Sequence, residues 1–414
     1  MLRGARQIGK SSTVRNLGKS FPYYIEVNFE LEPELTAIFE TLTDINELCR
    51  QISLLKGVQI KDGQTLLFLD EIQVSSLVIH KLRYFYELRP NLHVIAAGSL
   101  LEFAITESPS FGVGRIRSLF MMSFSFSEYL LALKEDILVD ALRDLSPSHP
   151  LPEAVHQKCL RHLKNYIVIG GMPEAVASFV KHVDILRVQK VLDDLIVSYQ
   201  ADFPKYKTRI STDRLIEVFG SLFYQVGSKY KYSNKVSALN SEQIRNSLYI
   251  LEKAGLIYAI THSDCNGIPL GAEINPKRKK YIVLDTGIYQ RILGLDFSQF
   301  LLENDVEFIN KGKIAELFVG LELLKNNSFH QPPELYYWHR EKQGSQAEVD
   351  YVIQKHNKII PIEVKASAQG KMKSMQLFIE EKKPDFGVRT SMENGGSYGK
   401  INVWPLYVVG NLVR

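Results

Sequence analysis

The sequence predicts an α/β chain: a parallel-sheet domain with a helical lid, then a winged-helix-like module, then a second α/β domain. Three observations carry this. A glycine-rich loop, Gly4-Ala5-Arg6-Gln7-Ile8-Gly9-Lys10-Ser11, lies at the amino end. A short apolar run, Leu66-Leu67-Phe68-Leu69, ends in the acids Asp70-Glu71. A third run, Ile359-Ile360-Pro361-Ile362-Glu363-Val364-Lys365, carries an acid and a lysine two residues apart. Short continuous apolar runs are what strands covered on both faces look like, and the segments of helical period between them supply the cover.

The first run fits G-x-x-x-x-G-K-[ST] at every fixed position. Chance supplies such a match in about one or two chains of this length in a hundred. The glycines let successive backbone N–H groups of Gly4, Ala5, Arg6, Gln7, Ile8, Gly9, Lys10, Ser11 and Ser12 converge on a triphosphate. Lys10 reaches the β- and γ-phosphates, Ser11 holds Mg²⁺, and a helix over Lys10–Leu17 points its positive end at the same anion. ATP and Mg²⁺ are the expected ligands. Only Met1-Leu2-Arg3 precede Gly4, whereas a strand usually runs about five residues. The first strand is therefore expected to be nearly missing, with weakened nucleotide affinity.

The rest of the first domain, residues 1–133, follows in order. Tyr23–Phe29 reads as a strand, and Leu31–Leu55 and Val78–Leu88 as helical. Ligands of open α/β sheets sit at the carboxyl ends of the strands, where Asp70 and Glu71 fall. Asp70 suits an outer-sphere Mg²⁺ role and Glu71 a base or water-positioner. A further strand, Leu92–Ala97, ends in Gly98-Ser99; Ser99 is either a γ-phosphate contact or an ordinary helix cap. Arg115 or Arg117 could stabilise charge on a transferring phosphoryl group, or be a solvated surface arginine.

Residues 134–205 form a proline-rich connection and the helical lid, with a forced turn at Gly170-Gly171-Met172-Pro173. In the module 206–300, helices over Leu215–Val226 and Ser241–Ala254 flank a short polar segment, Lys235–Leu239. Two strands, Leu256–Thr261 and Tyr281–Leu284, are then expected to be joined by a basic loop, Pro276–Lys280. That is a winged helix-turn-helix, in which Asn240, Gln243, Arg245 and Asn246 would face a major groove and Lys277 to Lys280 would meet phosphates. DNA is the implied partner; a packing or protein-interaction module is the alternative.

In the tail, residues 301–414, a helix from Gly312 to Lys325 precedes strands at Leu335–Trp338, Glu348–Ile353 and Ile359–Lys365. Period 2 puts Glu363 and Lys365 on one face, with Asp350 on the neighbouring strand. Asp350 and Glu363 can hold a second divalent metal for phosphodiester hydrolysis, aided by Lys365. The alternative is a buried ion pair or an inactive remnant of such a site.

Bulk properties constrain the class. The chain is 414 residues, 45% apolar and 23% charged, with net charge +4. That permits a nucleic-acid partner without requiring one. Cys49, Cys159 and Cys265 are too far apart for a zinc cluster or a disulfide framework and fit a reducing cytoplasm. No run reaches membrane-spanning length, so no membrane partner is expected.

Together these stretches resemble a family of prokaryotic ATPases with an AAA+-type P-loop domain followed by a conserved domain of unknown function. The tail looks like the PD-(D/E)xK restriction-endonuclease fold. The residues that carry the resemblance are the loop Gly4–Ser11, Leu69-Asp70-Glu71-Ile72-Gln73, Gly98-Ser99, Gly170-Gly171-Met172-Pro173-Glu174, Leu284-Asp285-Thr286-Gly287, Glu348-Val349-Asp350 and Ile362-Glu363-Val364-Lys365. The resemblance implies ATP binding by Gly4 to Ser12, Mg²⁺ chemistry by Asp70 and Glu71, and a nuclease-like tail around Glu316, Asp350, Glu363 and Lys365. The functional expectation is a cytoplasmic ATPase whose nucleotide state controls a DNA-binding or nuclease-like tail. Its rival is a non-cutting nucleotide-dependent switch.

Overall fold

Every side chain of the strand Thr65–Asp70 is buried. Period 2 divides its apolar residues between two layers. Leu66 and Phe68 pack with Leu2, Val14 and Ala97 on one face. Leu67 and Leu69 pack with Val27, Phe39, Leu48, Ile52 and Val78 on the other. The computed structural model describes residues 1–99, 101–106, 114–206, 210–230, 239–298, 311–342, 345–366 and 372–414. They fall into two units. One is Met1–Met122 with Lys253–Gly255 and Ser328–Pro332, and the other is Ser123–Glu252, Leu256–Asn327 and Pro333–Arg414.

The strands of the first unit are β1 (Leu2–Arg3), β2 (Tyr23–Asn28), β3 (Thr65–Asp70), β4 (His93–Ala96) and β5 (Leu119–Phe120). β2, β3 and β4 pair in parallel, as do β1 and β5. A parallel bridge between Leu2 and Ala97 joins the two sets, so the lateral order is β2-β3-β4-β1-β5. The two-residue β1 is thus as short as expected, yet it is paired on both sides. Its helices are α1 (Lys10–Gly18), α2 (Pro33–Thr41), α3 (Ile45–Lys56), α4 (Ser76–Leu88) and α5 (Leu101–Thr106). The single helical stretch expected over Leu31–Leu55 is two helices. Asp44 starts the second by accepting from Asn46 N–H at 2.8 Å, a capping role that short acidic side chains favour over a helix interior.

In the second unit, helices Phe126–Ala132 through Ile185–Asp202 precede an eight-stranded sheet. Its strands are β6 (Ile257–Ser263), β7 (Ile274–Val283), β8 (Leu335–Lys342), β9 (Ser345–Lys355), β10 (Lys358–Val364), β11 (Gly387–Ser391), β12 (Gly396–Tyr398) and β13 (Ile401–Pro405). The order is β12-β13-β11-β10-β9-β8-β6-β7. The hairpin expected as a wing, β6–β7, therefore shares one sheet with the tail strands. β6 runs parallel to β8 through Ile260↔Leu335. Pro276–Lys280 lies inside β7 and not in a loop, because alternate side chains there find partners within the unit. Of the polar segment expected at Lys235–Leu239, residues 235–238 lie outside the described residues.

The Gly170-Gly171 turn is explained by Asp285. Its buried carboxylate accepts N–H bonds from Gly171 at 2.7 Å, Gly287 at 2.8 Å and Ile288 at 3.1 Å. Gly170 has φ +78° and a Cβ there would stand 2.0 Å from Asp285 Oδ1. The two motifs, far apart in the chain, are halves of one structural lock.

Candidate functional site

The first-unit site is assembled from the ends of three strands. The chain leaves β1 at Gly4, whose φ is +133° and where a Cβ would stand only 2.3 Å from Met121 O. Gln7 (φ 62°) and Gly9 (φ 90°) continue the curl into the start of α1. Ala5 and Ile8 are buried and anchor the loop, Arg6 is half-buried, and Ser12 is exposed in the first turn of α1. Lys10 is 7% exposed. Its Nζ donates to Gly4 O at 2.9 Å and Ala5 O at 2.6 Å. Burial pulls its pKa down to about 8, against the opposing pull of Glu71 and Asp70.

Ser11 Oγ donates to Asp70 Oδ2 at 2.7 Å. The other carboxylate oxygen accepts from Glu71 N–H at 3.1 Å. Burial raises the Asp70 pKa, with the Ser11 bond acting the other way. Glu71 follows with left-handed backbone, φ 54°. Its Oε2 accepts from Ser99 Oγ at 3.2 Å and Ser99 N–H at 3.4 Å. The Ser99 hydroxyl and N–H thus both face Glu71.

Arg115 lies elsewhere: it pairs with Glu87 of α4 at 2.5 Å. Arg117 O accepts from the Met1 amine at 2.8 Å, at the start of β1. Both arginines therefore stand by the amino-terminal ends of β1 and β5, not at the carboxyl ends where the loop opens. Within the chain, the phosphoryl-stabilising role expected of Arg115 finds no support in these contacts.

In the second unit, Glu316 comes from the helix Lys311–Lys325, Glu348 and Asp350 from β9, and Glu363 from β10, with Lys365 just beyond it. The sequence reading missed the residue at their centre. Lys280 of β7, expected to meet solvent phosphates, has a side chain with 0% exposure; it contacts Glu348 and lies 3.3 Å from Glu316 Oε1. Burial opposes its charge, but Glu316, Glu348 and Asp350 outweigh that and hold its pKa above the ordinary value. Asp350 Oδ2 accepts from Val364 N–H at 2.8 Å, and Lys365 pairs with Glu363 at 2.7 Å.

Four carboxylates thus face two ammonium groups. Burial pushes Glu316 up to about 8 against Lys280, with Asp350 and Glu348 adding to the rise. Burial and then Asp350 push Glu363 up to about 7. Among the described residues no group of three or more His, Cys, Asp or Glu is placed to hold a metal ion. Of the two acids expected to hold a second divalent metal, Asp350 accepts from the Val364 backbone and Glu363 pairs with Lys365. Alternation along β7 was the available signal, since it turns Lys280 to the face opposite Lys279, which pairs with Glu252 at 3.7 Å.

The remaining basic residue of that strand with a described acid partner, Arg278, bonds Glu341 at 2.9 Å. No described helix is long and apolar enough to cross a membrane. Residues 1–130 match the family model of an AAA domain. Residues 160–299 match a domain of unknown function (DUF8612) and residues 311–409 another (DUF4143). No curated protein matches the chain.

Proposed function

We propose that the AAA-type unit binds ATP with Mg²⁺ and hydrolyses it. The observation that carries this reading is the meeting of Lys10, Ser11, Asp70, Glu71 and Ser99, through the Ser11–Asp70 and Ser99–Glu71 bonds. The backbone of Gly4 to Ser12 would cradle the phosphates and Lys10 would neutralise them. A hydroxyl beside a carboxylate is an oxygen donor set suited to Mg²⁺, so Ser11 and Asp70 would hold the ion, which supplies charge neutralisation at the phosphates. Glu71 would polarise the attacking water. The water oxygen forms the new bond to the γ-phosphorus, the bridging bond breaks with its electron pair going to ADP, and the water's proton passes to Glu71.

For the tail, the buried Lys280 favours a non-cutting interaction module over a nuclease. Its ammonium pairs with Glu316 and Glu348, and that of Lys365 with Glu363, so carboxylates of the cluster are matched by ammonium groups of the chain itself. Arg278 and Lys279 are likewise matched by acids, which favours a protein partner over DNA. The ATPase reading is tested by calorimetry and turnover on two variants. Lys10→Ala should lose ATP binding; Glu71→Gln should keep it and lose hydrolysis, since an amide cannot take the proton. Wild-type affinity in Lys10→Ala would sink the assignment.

A further inference from the structure

Gln73 stands on the single turn Ile72–Val74 that follows Glu71. Its Nε2 donates to Glu71 Oε2 at 2.5 Å and lies 3.5 Å from Ser99 Oγ. With the hydroxyl and N–H of Ser99, three donors converge on that one oxygen. Glu71 Oε1 has no hydrogen-bond partner among the described residues. Room for the Gln73 amide is made at Gly98, where a Cβ would stand 2.1 Å from Gln73 Oε1. That Oε1 is itself buried and accepts no hydrogen bond among the described residues. Tolerating an unsatisfied buried acceptor is costly, so the amide is held there for what its other end does. The left-handed backbone of Glu71 points the same way, because such a conformation persists only where the surroundings fix it.

We propose that Gln73 is the positioning residue of the base. Resting on the assignment of Glu71 as the water-polarising carboxylate, Gln73 and Ser99 pin Oε2 so that Oε1 is presented to the attacking water. Gly98 is glycine because the clamp needs the space. A glutamate side chain has three rotatable bonds, and a base contributes only while it is aimed. The clamp removes that freedom before substrate arrives.

The test uses the full chain and four variants: Gln73→Ala, Gln73→Met, Gly98→Ala and the Gln73→Ala/Gly98→Ala double. ATP turnover, KM and melting temperature are read for each, beside Glu71→Gln. Gln73→Ala and Gln73→Met should lower kcat by about 10- to 100-fold with KM within about twofold, since the phosphate contacts are untouched. Gly98→Ala should lose a similar factor by evicting the amide. The double variant should lose no more than Gln73→Ala alone, because the clash is gone. Gln73→Met fills the same space without a donor, so it separates the hydrogen bond from packing, and it decides the matter if Gly98→Ala fails to fold. Turnover that depends on Glu71 but is unchanged in both Gln73 variants overturns the clamp alone. Turnover that survives Glu71→Gln, or is absent from the wild type, overturns the base assignment and the clamp with it.

Discussion

Lys10 makes ATP binding a proton-uptake reaction above pH 8. In the structure its ammonium is buried and, among the described residues, bonded to backbone carbonyls, and its pKa is pulled down to about 8. A triphosphate beside it favours the charged form and should restore an ordinary lysine value, about 10.4 or higher. At pH 9 roughly nine-tenths of the free protein carries neutral Lys10, and at pH 7 roughly one-tenth. Binding should then take up about 0.9 proton at pH 9 and about 0.1 at pH 7. Apparent affinity should fall about tenfold between them, near 1.4 kcal/mol. The sign for stability is opposite. The fold bears the cost of a buried ammonium below pH 8 and is relieved as pH rises from there toward the unfolded value. Calorimetry with a non-hydrolysed ATP analogue, in buffers of differing ionisation enthalpy, counts the protons directly. Lys10→Arg, whose guanidinium stays charged, should erase the pH dependence. Proton uptake that is the same at pH 7 and pH 9 would refute the reasoning.

Three predictions concern the second unit. Lys280→Ala leaves Glu316 and the half-buried Glu348 without their counter-charge and should cost about 3 kcal/mol, read as a shift in the urea midpoint; a loss below about 1 kcal/mol would show the cluster to be solvated. The wild-type chain should cut no DNA with Mg²⁺ or Mn²⁺, and cleavage that is lost in Glu363→Ala would reverse the reading of the tail. Gly170→Ala combines φ +78° with a Cβ 2.0 Å from Asp285 Oδ1, and should destabilise by about 2 kcal/mol or more. An unchanged melting curve would dissolve the proposed lock.

The first unit was legible because its chemistry is local. Gly4 to Ser11 states a loop conformation within eight residues, and an apolar strand ending in Asp70-Glu71 states its own burial and its place at a sheet end. What sequence could not show is the convergence of groups by tertiary pairing. Gln73 looks like any polar residue after a strand; its role follows only from the space at Gly98, which parallel pairing of β3 with β4 brings alongside. Arg115 shows the complementary case. Its chemistry was suitable, but β5 carries it to the amino-terminal end of the strands, where Glu87 holds it.

The tail shows how composition misleads when register decides. Four consecutive basic residues, Lys277 to Lys280, read as one basic loop that would meet phosphates. In a strand, alternate side chains leave by opposite faces, so such a run cannot have one fate. Arg278 reaches Glu341 and Lys279 reaches Glu252, both at half-exposed positions. Lys280 enters the core and meets Glu316 and Glu348. The acids beside it read as a metal site because a divalent cation is the usual answer to clustered carboxylates. Here β7 joins the tail's sheet and brings an ammonium into the cluster instead. Burial, with Asp350 adding to it, raises the pKa of Glu316 to about 8 and of Glu363 to about 7.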